Sequence, residues 1–230
     1  MWIEKNELYK KLKEFNLKDA VHLEEKDIQF VALKQLYENK NMSDSNYLFL
    51  IIANSLICYQ LSWKWENYWE EFSKILENKN FKNFEEIYIF FKFFLPESKN
   101  NKRFIETKLK RVKKIENFYK DFIWKEKHYY ENMLGLRDVL AKTMNQKNDA
   151  KTIVFAIKMF NYWARNIFSF VKNPDNISIP IDSRLEKLFE KYNSDYDNSC
   201  IFFYNLSKKL NISPLHLDAI LWVNYDEYIK

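Results

Sequence analysis

One glycine, Gly135, and four prolines serve a chain of 230 residues. Tight hairpins between strands need residues that tolerate positive φ, glycine above all. Loops that cradle phosphates are likewise built from glycines, whose bare backbone can approach the ligand. A chain this poor in glycine is badly equipped for either task, which argues against sheet-rich and nucleotide-cradling folds. An all-α protein fits best. The length suffices to bury a real core, in one domain or two small ones, and the 18% of aromatic residues promise thick helix interfaces or stacking surfaces.

The net charge of +5 is mild but uneven. Residues 99–114, KNNKRFIETKLKRVKK, carry eight basic side chains against Glu106 alone. Such a run reads first as a solvated helix face and second as a surface for phosphates. Cys58 and Cys200 lie in apolar surroundings and are expected to be buried free thiols, as in a reducing compartment. Two cysteines cannot supply a four-cysteine zinc or iron–sulfur site, and His22, His128 and His216 are too scattered for a metal motif, so no metal or cofactor is expected. The most apolar run, 47–53, is too short to span a bilayer and the N-terminus lacks a signal-peptide core, so a soluble, cytoplasmic protein is expected.

Apolar periodicity predicts helices over 4–15, after Asp27 as N-cap, over 46–61 as the central rod, and over 82–95, 98–122 and 128–143. Of Trp63, Trp65, Tyr68 and Trp69, most are read as core or helix-end packing, which leaves room for one tryptophan on a pocket rim. The polar stretch 145–149 forms a turn between two helices, an arrangement like a helix-hairpin-helix DNA element, with Lys142 and Lys147 placed to meet phosphate. Asp182 is a natural N-cap, with Ser183 and Glu186 spelling a capping box one step later, and further helices cover 195–210 and 214–227, the last opening on Ser213-Pro214. One compact unit, with room for two lobes and a cleft between them, is expected over 1–230.

The stretch 151–184 carries the chemistry. Lys151, Phe155, Lys158 and Tyr162 share one helical face, a poor core stripe but a plausible pocket wall. A lysine there can serve as an amine nucleophile where burial and a neighbouring cation disfavour its charge. Asp182, at the start of the next helix, suits Schiff-base chemistry assisted by a carboxylate. Asp218 and Trp222, four residues apart, share another face, and Gln29 sits in the first turn of its helix.

KTIVFAIKMFNY, SIPIDSRL and ISPLHLDAILW closely resemble three segments of the archaeal 8-oxoguanine DNA glycosylases called AGOG, a branch of the helix-hairpin-helix DNA glycosylase superfamily. Weaker likeness reaches KDIQF and LICYQL…ENYWEEF. The resemblance implies an all-α, two-lobed bundle acting as a monomer on double-stranded DNA that contains 8-oxoguanine, in a prokaryotic, nucleoid-associated setting. It implies Lys151 as Schiff-base lysine and Asp182 as catalytic aspartate. Phe155 and Trp222 would flank the extruded base, Gln29, Lys158 and Asp218 would read its edges, and Trp69 would contribute to the pocket. The implied activity is bifunctional: base excision, then β-elimination at the abasic site. Two alternatives are a non-catalytic helical DNA-binding module, with Lys151 a phosphate contact, and a monofunctional alkylpurine glycosylase in which the aspartate activates water.

Overall fold

In the computed structural model, which describes residues 3–63, 65–193 and 195–230, the protein is all-α. After a 3₁₀ turn (Ile3–Lys5), fifteen α-helices follow among the described residues: α1 (Glu7–Leu12), α2 (Leu17–Glu24), α3 (Ile28–Asn39), α4 (Asp44–Ile57), α5 (Trp65–Leu76), α6 (Phe84–Glu97), α7 (Ile105–Lys114), α8 (Glu116–Phe122), α9 (Glu126–Glu131), α10 (Met133–Met144), α11 (Lys151–Ile167), α12 (Ser183–Tyr192), α13 (Ser199–Leu210), α14 (Pro214–Val223) and α15 (Tyr225–Ile229). Residues 3–27 and 172–230 form one compact unit, and 28–171 form a second. Among the described residues no helix is long and apolar enough to cross a membrane.

Asparagine serves both ends of the helices, and at their C-termini it takes the place glycine holds in other chains. Asn6, Asn16, Asn83, Asn132 and Asn198 each accept backbone N–H groups at a helix start, satisfying donors that the helix itself leaves orphaned. Asn145 (φ 53°) and Asn211 (φ 55°) end α10 and α13 in the left-handed region, the conformation that asparagine tolerates next best after glycine. The single glycine has its own reason: a Cβ on Gly135 would run into the side-chain amide of Asn132, which caps α10.

In the 28–171 unit, α4 is the central rod, buried at every residue from Ser45 to Ile57. The helix α11 runs against it and is itself buried from Ile153 to Arg165. Each large apolar side chain removed from water there contributes about 1.5–3 kcal/mol. Asn46, drawn inside, is paired at both ends of its amide: Nδ2 donates to Phe81 O (2.6 Å) and Oδ1 accepts from Tyr119 OH (3.1 Å). Tyr68 OH donates to Asn54. On α5, a helix that periodicity did not reveal, Tyr68, Trp69, Phe72 and Leu76 turn inward. Phe72 packs there with Phe90, Phe91 and Phe94 of α6 at centroid distances of 5.9–6.3 Å.

Several expected helices are shorter or divided. The 98–122 helix is two, α7 and α8, parted at Ile115, and 98–104 is a loop. The Glu71 carboxylate holds that loop, accepting from Ser98 Oγ, Lys99 N and Asn100 Nδ2, each at 2.8 Å. Phe104 at φ 56° then blocks any helix from running through it. The basic run is therefore not one solvated face, because Lys108 is fully buried and Arg111 half-buried. Residues 128–143 divide at Asn132 into α9 and α10, the rod stops at Ile57, and α6 runs on to Glu97 with Pro96 in its last turn.

In the other unit, the expected helix over 4–15 is α1 alone, because Asn6 caps it at Leu8 N (2.9 Å) and Asn16 with Asp19 forms a capping box that opens the unforeseen α2. Leu8, Leu12, Leu188, Phe202, Leu206 and Leu217 form its core. Within this core His216 Nδ1 lies 2.7 Å from Glu24 Oε1, and its Nε2 accepts from Asn173 N at 3.2 Å. An accepting Nε2 puts the imidazole hydrogen on Nδ1, facing the carboxylate. The 214–227 helix divides at Asn224 into α14 and α15. Cys58 is buried as expected, whereas Cys200 is exposed on the first turn of α13.

Candidate active site

The hairpin that presents α11 is built without glycine. Asn145 N donates to Lys142 O (3.1 Å) and Gln146 N to Ala141 O (2.9 Å), the paired bonds of a Schellman ending around a left-handed residue. Lys142 and Lys147 are exposed on either side of the turn. Ala150 precedes the helix with no side chain to cap it, and Lys151 is its first residue.

Lys151 is half-buried, with its ammonium 5.1 Å above the Trp65 ring. One turn on, Phe155 meets Trp65 edge to face (5.5 Å) and tilts against Trp69 (6.3 Å). Trp69 is fully buried, so it backs Phe155 and offers no face to solvent. Deeper along the stripe, the buried Lys158 holds its ammonium 5.2 Å over the ring of Tyr162, and the Arg165 guanidinium lies 5.7 Å from that same ring. Gln29, in the first turn of α3, is buried, and its neighbour Phe30 stacks on Trp163 at 5.1 Å. The stripe is thus a graded wall in which Lys151 occupies the accessible end. Burial pushes the Cys58 thiol up strongly, against the opposing pull of the Lys108 and Lys151 ammonium groups. That thiol stays protonated and offers no competing nucleophile.

In the other unit, Asp182 is the N-cap of α12, its Oδ1 accepting from Arg184 N (2.9 Å) and Leu185 N (3.0 Å). The capping box expected one step later is not formed: Glu186 instead accepts from Ser199 Oγ at 2.8 Å, tying α12 to α13. Both cap bonds use the same Asp182 oxygen, so Oδ2 takes no part in the cap. Asp218 is buried on α14. Trp222, one turn later, is half-buried, and the Arg184 guanidinium covers its ring at 4.1 Å.

The sequence profile described as AGOG, N-glycosylase/DNA lyase, matches residues 9–228. The chain belongs to this family. An N-glycosylase/DNA lyase of Thermococcus kodakarensis is 40% identical over 222 residues, covering 94% of this chain and 82% of its own. One from Methanococcus maripaludis is 39% identical over 222 residues, covering 94% and 86%. The crystal structure of 8-oxoguanosine-complexed Pa-AGOG, the 8-oxoguanine DNA glycosylase from Pyrobaculum aerophilum, shares the fold, with a TM-score of 0.79 at 22% identity over 94% of this chain and 85% of that one.

As a member of the AGOG family the chain is an N-glycosylase/DNA lyase. Of the side chains expected at its site, Gln29, Trp69, Lys151, Phe155 and Lys158 belong to the 28–171 unit, and Asp182, Asp218 and Trp222 to the other. Sequence reasoning passed over three residues. Trp65 was one ring among several, although its place at the start of an unrecognised helix brings it under Lys151. Arg184 gave no signal beyond standing two places after Asp182, and Arg111 was hidden in the basic run.

Proposed function

We propose that this protein removes 8-oxoguanine from double-stranded DNA and cleaves the strand at the resulting abasic site, with Lys151 as the amine nucleophile and Asp182 as its catalytic carboxylate. What carries the reading is Lys151 itself. In a family of N-glycosylase/DNA lyases, it stands at the accessible end of an otherwise buried stripe, against Trp65 and one turn from Phe155.

Chemistry on a base within a duplex requires extruding it, at a cost of a few kcal/mol, roughly. Stacking on aromatic rings returns about 1–3 kcal/mol per base, and Phe155 and Trp222 are assigned to flank the base, with Trp69 behind Phe155 as the wall that keeps it in place. Compared with guanine, 8-oxoguanine carries an oxygen on C8 and a hydrogen on N7. A buried acceptor reads that hydrogen, since guanine would leave the acceptor unpaired. Gln29 and Asp218, both buried, supply acceptors of that kind, and Lys158 is the donor assigned to the base edge.

The neutral amine of Lys151 attacks C1′, the C1′–N9 bond breaks, and the base leaves with its electron pair and takes up a proton. Asp182 stabilises the positive charge that develops on the sugar and helps relay the proton, its rigid cap geometry holding the carboxylate in one orientation. Loss of the ring oxygen's bond to C1′ leaves an imine between Lys151 and the opened sugar. The imine acidifies the C2′ hydrogen, and its removal expels the 3′ phosphate by β-elimination.

Borohydride trapping on a duplex with one 8-oxoguanine tests the reading. A covalent protein–DNA product formed by the wild type and absent from Lys151→Gln supports it. Excision that leaves piperidine-sensitive abasic sites without any trapped product overturns the amine mechanism. Neither product on this lesion overturns the substrate assignment.

A further inference from the structure

We propose that Arg111 is a positioning residue for Lys151, fixing the first turn of α11 against the hairpin and the end of α4 and so setting where the lysine amine stands. The inference rests on the role proposed for Lys151. Helix α11 begins without a side-chain cap at Ala150, so its first turn lacks the local fastening that Asn6, Asn16, Asn83 and Asn198 give other helices here. The fastening comes instead from α7. Arg111 Nε donates to Leu56 O at 2.9 Å, beside the end of α4. Its Nη2 donates to Gln146 Oε1 (2.9 Å) in the hairpin and to Thr152 Oγ1 (3.0 Å), the residue next to Lys151. Thr152 Oγ1 closes the set by donating to Gln146 Oε1 at 3.2 Å. The Tyr59 ring lies 5.5 Å from the guanidinium and limits its swing.

The geometry demands a guanidinium. Three acceptors on three separate segments are met by a planar fork whose donors diverge at fixed angles, which a lysine ammonium on a flexible stem cannot reproduce. Lys151 and Thr152 precede the buried run of α11, which begins at Ile153, so loosening the clamp frees these first two residues without dismantling the core. Displacing a nucleophile by about 1 Å lowers the rate by on the order of a hundredfold.

Single-turnover excision and borohydride trapping on the 8-oxoguanine duplex, with full-length wild type, K151Q, R111K, T152V and T152S, test the proposal, alongside duplex affinity and thermal melting of each. The expected result is imine formation slowed by about ten- to a hundredfold in R111K and T152V, with duplex affinity nearly unchanged. T152S, which keeps the hydroxyl, restores the rate, and the loss in R111K/T152V is smaller than the two single losses combined, because both side chains belong to one hydrogen-bonded set. Trapping at the wild-type rate in R111K and T152V overturns the proposal. So does a loss matched by weaker binding or by an unfolded fraction, or a T152S variant as slow as T152V. A wild type that traps nothing removes the Lys151 reading, and the inference falls with it.

Discussion

Replacing Lys108 by methionine should stabilise the protein at neutral pH and destabilise it in strong alkali. Lys108, on α7, is 0% exposed, donates to Asn101 Oδ1, and lies 5.0 Å from the Tyr59 ring. Burial pulls its pKa down from 10.5 to about 8, the Arg103 guanidinium adding to the descent and Cys58 opposing it. Below pH 8 the folded protein must hold a buried cation that the unfolded chain keeps in water, so the penalty is present in full. Between about 8 and 10.5 the unfolded chain binds a proton that the folded one does not, so stability rises with pH and the penalty disappears. A descent of that size corresponds to about 3 kcal/mol. Methionine has a similar length and no charge, but it leaves Asn101 Oδ1 without its donor, a loss of about 1 kcal/mol. K108M should therefore be more stable than wild type by about 2 kcal/mol at pH 7, and less stable by roughly 1 kcal/mol at high pH, with the curves crossing near pH 10, roughly. Urea unfolding of both proteins at pH 7, 8.5 and 10.5 measures the difference, from which the shared titrations of Cys58 and the tyrosines cancel to first order. A difference that stays constant across those pH values, or a K108M less stable at pH 7, would refute the argument that the buried lysine carries an unrelieved charging penalty.

Asn145→Ala should lower unfolding stability by about 1 kcal/mol, because alanine pays the left-handed penalty that asparagine partly escapes at φ 53°, whereas Asn145→Gly should leave it unchanged or slightly raised; chemical denaturation distinguishes the two. Glu24→Ala strips the buried His216 imidazole of its carboxylate partner at 2.7 Å and should destabilise the protein by about 3 kcal/mol, read as a drop in the unfolding midpoint.

Where the sequence could be read, the signal was local and periodic. The scarcity of glycine pointed to helices, the unbroken apolar run marked α4, and the spacing of Lys151, Phe155, Lys158 and Tyr162 laid one stripe on α11. What escaped was set by partners that periodicity does not register. The end of α1 and the start of α2 depend on asparagine side chains bonding to nearby backbone, and the 98–104 loop depends on Glu71, 27–29 residues away in sequence. Charge misled in the same way. A basic run is ordinarily read as facing water, yet Lys108 and Arg111 turn inward because α7 must satisfy polar groups near the end of α4. The acceptors of Arg111 lie 55, 35 and 41 residues from it, and no pattern in one dimension links them. The site divides along the same line. The role proposed for Lys151 rests on its own stripe, a dozen residues long. Its position belongs to residues remote in sequence: Trp65 beneath its ammonium and Arg111 bonded to its neighbour Thr152. A substitution that spares every residue of the stripe can therefore still misplace the amine on which the proposed chemistry depends.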